Sequence, residues 1–289
     1  MTLHGTLTRL GRTADIEVTA LDGEQRTAKT DAVVTEEPLE LRLSDGARTR
    51  TLAVTMRTPG NDFELAAGFA FNESILVDRD RLTGMTYCLD SDLDPAQQYN
   101  IVTIQCDANA FARSAVRLER HFTTNSSCGI CGSAQLQSMR DLGMTPLEDD
   151  LRISATLLYS LPERMREQQR VFASTGGLHA AALFDENGEC ITVREDIGRH
   201  NAFDKLAGWG FLNGRLPLTR HVALVSGRAS YEIVQKAVAE RIPVLCSVSA
   251  PSSLAISVAR EFNVTLVGFL RDDRANVYTG TERVRSPSH

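Results

Sequence analysis

Apolar and polar positions alternate with a period of two along the first third of the chain. Ala32-Val33-Val34, Leu39-Glu40-Leu41-Arg42-Leu43 and Thr51-Leu52-Ala53-Val54-Thr55-Met56 carry the pattern of strands with one buried face. Ser44-Asp45-Gly46, between the last two, is hairpin-turn chemistry. The period then lengthens. Asn61 or Asp62 caps a helix that runs through Glu64 to Ala70, with an acidic first turn. Tyr99 to Ile104 reads as a further strand. From about 107 to 150 no period holds: the polar run Thr123-Thr124-Asn125-Ser126-Ser127 and the glycine-bracketed Cys128-Gly129-Ile130-Cys131-Gly132 predict a mobile loop.

The second half is more regular. A helix from Ser154 to about Gln169 precedes Val171-Phe172-Ala173, Gly176-Gly177 and the apolar stretch Ala180 to Phe184, and Asn187-Gly188 turns the chain into Cys190-Ile191-Thr192-Val193. Three continuous apolar strands then alternate with amphipathic helices: His221 to Ser226 before Tyr231 to Glu240, Ile242 to Val248 before Ser252 to Phe262, and Val264 to Leu270. That alternation implies a parallel sheet covered by helices. The expected organisation is a β-rich N-terminal domain over 1–120, a loop region over 121–150 and an α/β domain over 151–289. Ligands of such sheets sit at the carboxyl ends of the strands. Here those ends are Ser226-Gly227-Arg228, Ser247-Val248-Ser249-Ala250-Pro251 and Phe269-Leu270-Arg271, all polar, small or basic, as the floor of an anion pocket would be.

Composition narrows the classes. With 289 residues, 42% hydrophobic and 24% charged, the chain can bury a real core and is neither disordered nor of low complexity. A net charge of −6 argues against a general nucleic-acid coat, though not against one basic pocket. No apolar run approaches the ~20 residues of a membrane helix, and Met1 to Gly5 lacks the profile of a secretion signal. A cytoplasmic protein is expected. Six cysteines are too sparse for a disulfide scaffold, which points to a reducing compartment.

Of these cysteines only Cys128 and Cys131 form a pair. Two thiols at this spacing bind metal, exchange disulfides or carry sulfur as a persulfide. A structural zinc site needs four ligands, and neither a second pair nor a histidine cluster accompanies them, so no metal is expected. A thiolate on a loop able to swing suits the flanking glycines better than a rigid redox site; two incidental loop cysteines are the bland alternative. In Ser174-Thr175-Gly176-Gly177-Leu178-His179-Ala180-Ala181, glycines permit close backbone approach, and His179 is either a ligand contact or a core histidine. A zinc nucleobase deaminase would place glutamate where Ala181 stands and its cysteine pair downstream, so deaminase chemistry is disfavoured. Arg194-Glu195-Asp196-Ile197-Gly198-Arg199-His200-Asn201 reads either as a solvated turn capped by Asn201 or as Arg199 and His200 offered to phosphate at a helix N-terminus. Gly227 and Arg228 form a strand–turn–helix grip, and Phe269-Leu270-Arg271-Asp272-Asp273-Arg274 can stack on a base and pair with phosphate. Together they suggest a nucleotide-like anion.

Five of these segments, in order, resemble the formate dehydrogenase accessory sulfurtransferases, the FdhD family: Ser-Ser-Cys-Gly-Ile-Cys-Gly, Ser-Thr-Gly-Gly-Leu-His-Ala-Ala, Arg-Glu-Asp-Ile-Gly-Arg-His-Asn-Ala-Phe-Asp-Lys, Val-Ser-Gly-Arg-Ala-Ser-Tyr-Glu and Cys-Ser-Val-Ser-Ala-Pro-Ser-Ser-Leu-Ala. The likeness runs from about Glu36 to Thr279. It implies a homodimeric sulfur carrier that takes sulfane sulfur from a cysteine desulfurase and passes it to the molybdenum (or tungsten) bis-guanine-dinucleotide cofactor of formate dehydrogenase. Cys128 maps onto the family's persulfide cysteine, Cys131 onto its assistant, and Phe269 to Arg274 onto the cofactor-binding segment. The implied fold is α/β, a three-layer sheet with covering helices, cytidine-deaminase-like in the C-terminal domain. Two other classes stay open: a cofactor-binding chaperone whose cysteines are mere contacts, and a thiol-disulfide oxidoreductase.

Overall fold

The computed structural model describes residues 11–88, 98–115 and 132–285. The pair Cys128 and Cys131, with the polar run before it, lies outside the described residues.

The chain opens with a two-stranded antiparallel ribbon, β1 (Thr13–Asp22) and β2 (Gln25–Val34), largely exposed on both faces. A four-stranded sheet follows: β3 (Glu37–Ser44), β4 (Thr49–Arg57), β5 (Leu82–Tyr87) and β6 (Ile101–Cys106), in the order β4-β3-β6-β5 with β3 and β6 parallel. The period-two pattern works as expected here. Leu39, Leu41 and Leu43 point inward onto α1 (Asp62–Asn72), while Glu40 and Arg42 pair with each other on the outer face. A helix over 108–115, α2, lies beside this sheet and contributes Ala110 and Phe111 to its core.

Residues 132–150 are not all loop. They begin with helix α3 (Gly132–Asp141), whose Met139 enters the C-terminal core and whose Arg140 pairs with Glu261. The rest of the chain supplies β7 (Ile153–Ser154), α4 (Ala155–Gln168), α5 (Arg170–Thr175), β8 (His179–Asp185), β9 (Cys190–Asp196), α6 (Arg199–Leu212), β10 (His221–Val225), α7 (Tyr231–Ala239), β11 (Val244–Ser247), α8 (Ser253–Glu261), β12 (Thr265–Arg271), β13 (Arg274–Thr279) and β14 (Val284–Arg285). Ser154 and Ser252 cap α4 and α8 through their side chains, the role serine plays best at that position. Six strands form one sheet in the order β13-β12-β11-β10-β8-β9, with β10, β11 and β12 parallel and the outer pairs antiparallel. Alternate residues face opposite layers: Ala223 and Val225 meet α6 and α7, while Val222 and Leu224 share a cluster with Leu158 and Leu161 of α4. Both faces are covered, so the strands read as continuous apolar runs. This confirms the expected strand–helix alternation over 221–270.

The two halves meet along α6, a helix buried nearly all round. Phe203 and Leu206 belong to the C-terminal core and Phe211 to the N-terminal one. Its crossing with α1 depends on two glycines. A Cβ at Gly68 would lie 1.8 Å from the Asp204 carbonyl oxygen, and one at Gly208 1.8 Å from that of Glu64. No helix among the described residues is long and apolar enough to cross a membrane.

Candidate functional site

The carboxyl ends of the parallel strands form one continuous rim. At the end of β10, Ser226 N donates to the Ala180 carbonyl at 3.0 Å, and Ala180 N donates to Ser226 Oγ at 2.9 Å; this seats His179, the first residue of β8, beside Gly227. At the end of β11, Ser247 Oγ donates to the Gly227 carbonyl at 2.7 Å and accepts from Ser249 N at 3.1 Å. Phe269 N in turn donates to the Ser249 carbonyl at 3.1 Å. His179, Gly227, Ser247, Ser249 and Phe269 are therefore linked by backbone and serine hydrogen bonds across four strands.

Gly227 allows the closest approach on this rim. A side chain there would begin 3.3 Å from His179 Nδ1 and 3.6 Å from Arg199 Cδ. Arg199 opens α6, and its Nε is buried with no hydrogen-bond partner. An unpaired guanidinium nitrogen out of contact with water is costly, and an anion is its natural complement. Burial, then the Arg199 charge, holds His179 below the ordinary histidine pKa, with Asp196 pulling the other way. His200 turns aside: its Nε2 lies 2.7 Å from Glu232 Oε2 and 3.3 Å from Ser230 Oγ, at the start of α7. That contact, chiefly through its hydrogen bond, depresses the Glu232 carboxyl.

The far end of the rim is the β12–β13 hairpin. Arg271 pairs directly with Arg274 across the two-residue turn Asp272-Asp273, with Asp272 at φ 49°. Like charges in that position repel, and an anion between them would relieve it. Among the described residues neither arginine, nor the exposed Arg228, has an acidic partner within ion-pair distance. Phe269 holds φ 53° with 38% of its surface exposed, an unusual backbone for a bulky residue, and one seen where a neighbouring structure overdetermines it. Gly268 before it is wedged against Pro251 and Tyr278. Leu270, expected with its neighbours to meet a ligand, is instead fully buried with Val267 in the core on the α4 face, because the irregularity between Gly268 and Arg271 interrupts the alternation there.

The Arg194–Asn201 segment divides in two. Its second part supplies Arg199 and His200 to the rim. Its first part is neither a solvated turn nor a phosphate grip but the joint between the halves. Arg194 forms a bidentate pair with Glu64 of α1. The Glu195 carboxylate accepts the Val171 and Phe172 amides at the start of α5. Asp196 lies 2.6 Å from Lys205 Nζ, both fully buried, and accepts from Thr58 N at 3.2 Å. Asn201 is buried rather than a cap, donating to the Met56 carbonyl at 2.7 Å; the cap is Gly198. Sequence reasoning missed the roles of Ser230 and Glu232, which follow the end of β10, and that position was the available signal; Ser247 and Ser249 lie in the strand-end segment already read as pocket floor.

A three-layer sheet of helices and parallel strands, with a polar rim at the strand ends and a second small sheet locked to it by one shared helix, defines the structural class. The chain belongs to the FdhD/NarQ family, which residues 34–285 match. It is 51% identical over 256 residues to a Streptomyces coelicolor protein named sulfur carrier protein FdhD, spanning 88% of this chain and 89% of that one. Relatives of the same name from Mycolicibacterium paratuberculosis and Sulfurisphaera tokodaii are 48% and 40% identical, over 92% and 93% of this chain and 97% and 98% of theirs. The fold matches a crystal structure of a Desulfotalea psychrophila protein assigned as a formate dehydrogenase accessory protein, with TM-score 0.73 at 21% identity, covering 95% of this chain and all of that one.

Proposed function

We propose that this chain is a sulfur carrier serving formate dehydrogenase. The observation that carries the reading is similarity at 51% identity, over nearly the whole length of both chains, to a protein named for that role. In the proposed cycle the Cys128 thiolate attacks the outer sulfur of a cysteine desulfurase persulfide. A new S–S bond forms on Cys128, and the desulfurase cysteine leaves as thiolate with the bonding pair. Cys131 assists or relays. The outer sulfur is then delivered to a molybdenum (or tungsten) bis-guanine-dinucleotide cofactor, which is cargo here rather than a resident group.

The strand-end rim suits that cargo. Among the described residues Arg271 and Arg274 face each other without acidic partners and Arg199 has an unsatisfied buried Nε, while Phe269 offers an exposed ring for a base. His179, Gly227 and Arg228 complete the cradle; His200, held by Glu232, and the acidic turn Asp272-Asp273 border it. A deaminase-like sheet without the glutamate at position 181 would bind but not hydrolyse. A homodimer, with the desulfurase and the dehydrogenase catalytic subunit as successive partners, completes the reading.

The test is activation of apo-formate dehydrogenase by Cys128→Ala/Cys131→Ala, alongside its affinity for guanosine diphosphate. The sulfur-carrier reading expects wild-type nucleotide affinity and no activation. Full activation by the double variant would replace it with a cofactor-binding chaperone.

A further inference from the structure

Where α1, α6 and α7 converge, on the opposite side of the joint from Asp196, sits a polar group that the rim does not use. Asn72, Asp204, Lys236 and Glu240 are all at most 8% exposed, and Glu240 is wholly buried. Asn72 Nδ2, at the end of α1, donates to Asp204 Oδ1 at 2.7 Å, and Lys236 Nζ donates to the same oxygen at 2.5 Å. Asp204 is thus satisfied and balanced by the lysine. Two things are left over. Asn72 Oδ1 has no hydrogen-bond donor, and neither Glu240 oxygen has a partner. One cation cannot neutralise two buried carboxylates, and an unpaired buried carboxylate is among the most expensive groups a fold can hold. A carboxylic acid has a proton to donate, and the orphan amide oxygen of the neighbouring Asn72 needs one.

We propose that Glu240 is a neutral acid in the folded chain, donating its proton to Asn72 Oδ1, and that its ionisation loosens the seam between the two halves. The cluster then holds one negative and one positive charge, and of the orphan atoms named only the Glu240 carbonyl oxygen is left without a donor. The groups around Glu240 support this. Burial, and then Asp204, hold its carboxyl well above the usual range, with Lys236 and Asn72 opposing. Burial also raises Asp204, with Lys236 and Asn72 opposing, and Glu73, just past the end of α1, adds a further upward push. A group with a raised folded pKa binds its proton more tightly in the native state. The stabilisation is therefore complete below the unfolded carboxylate pKa and is lost as pH rises towards the folded one. Asp204 lies five residues along α6 from Arg199, so loosening there bears on the rim. The inference does not depend on the sulfur-carrier reading.

Glu240→Gln keeps the shape and a donor but cannot ionise. In the full chain, wild type should lose about tenfold in its folding equilibrium constant, relative to Glu240→Gln, for each pH unit above about 4.5 until the folded pKa is reached. Hydrogen exchange of α1 and α6 amides, corrected for intrinsic rate, should quicken over the same window in wild type only. Parallel stability curves for the two proteins would overturn the proposal. So would a ¹³C-carboxyl resonance of Glu240 at the carboxylate position at neutral pH, a readout in wild type that needs no variant to fold.

Discussion

Arg194 and Arg199 stand five residues apart and belong to opposite kinds of environment. Arg194 pairs with Glu64 through Nε and Nη2 and bonds the Val193 carbonyl through Nη1, in a joint where Asp196 meets Lys205 and Asn201 bonds the Met56 carbonyl. Among the described residues Arg199 keeps a buried nitrogen with no partner, on a rim where Arg271 and Arg274 also lack acids. A structural charge is satisfied by the chain itself, and a charge kept for a ligand is not. The difference separates joint from rim more sharply than composition does, since both are basic-acidic mixtures on one stretch of sequence.

Variants in the joint and in the rim should therefore behave oppositely, and the joint should give the largest effect. Asp196→Ala strands the buried Lys205 ammonium and should cost about 3–5 kcal/mol in denaturant unfolding; a loss below about 1 kcal/mol would place Asp196 outside the joint's support. Gly208→Ala drives a methyl into the Glu64 carbonyl and should cost about 1–3 kcal/mol or more by the same measurement, because backbone rather than a flexible side chain must give. Rim variants should leave unfolding within about 0.5 kcal/mol of wild type. Arg199→Ala and Arg271→Ala should instead weaken guanosine diphosphate binding by calorimetry about tenfold each, the value of one charge-assisted hydrogen bond.

The smallest effect is a pH dependence at His179. Its folded pKa lies below the model-peptide value of 6.5, so the native state binds less proton than the unfolded one, and stability is lost as pH falls from about 6.5 towards the folded pKa. A bound anion opposes the Arg199 charge and raises that pKa. Nucleotide affinity should then strengthen as pH falls through this window, and the imidazole NMR titration should move upward on binding. A titration unmoved by saturating nucleotide would detach His179 from the site.

Sequence alone revealed the rim better than the joint, for a physical reason. Strands β10, β11 and β12 are buried on both faces and alternate with amphipathic helices, so their apolar runs, and hence their polar ends at Ser226, Ser247 and Arg271, are local signals. The partners of Arg194, Asp196 and Asn201 are Glu64, Thr58 and Met56, 130 to 145 residues away, and no local pattern announces them. The β1–β2 ribbon was missed beyond Ala32-Val33-Val34, although Ala14, Ile16, Val18 and Ala20 alternate with polar residues; that alternation faces no core, and both faces of the ribbon are largely exposed. Leu270 was grouped with its charged neighbours because a sequence motif does not say which face of a strand each residue takes.

The central claim is that sulfur travels on Cys128. Intact mass after incubation with a cysteine desulfurase and cysteine tests it directly, with Cys128→Ala and Cys131→Ala as controls. The account predicts a gain of one sulfur atom, removed by reductant, present in Cys131→Ala and absent in Cys128→Ala. No gain in wild type with an active desulfurase would contradict it.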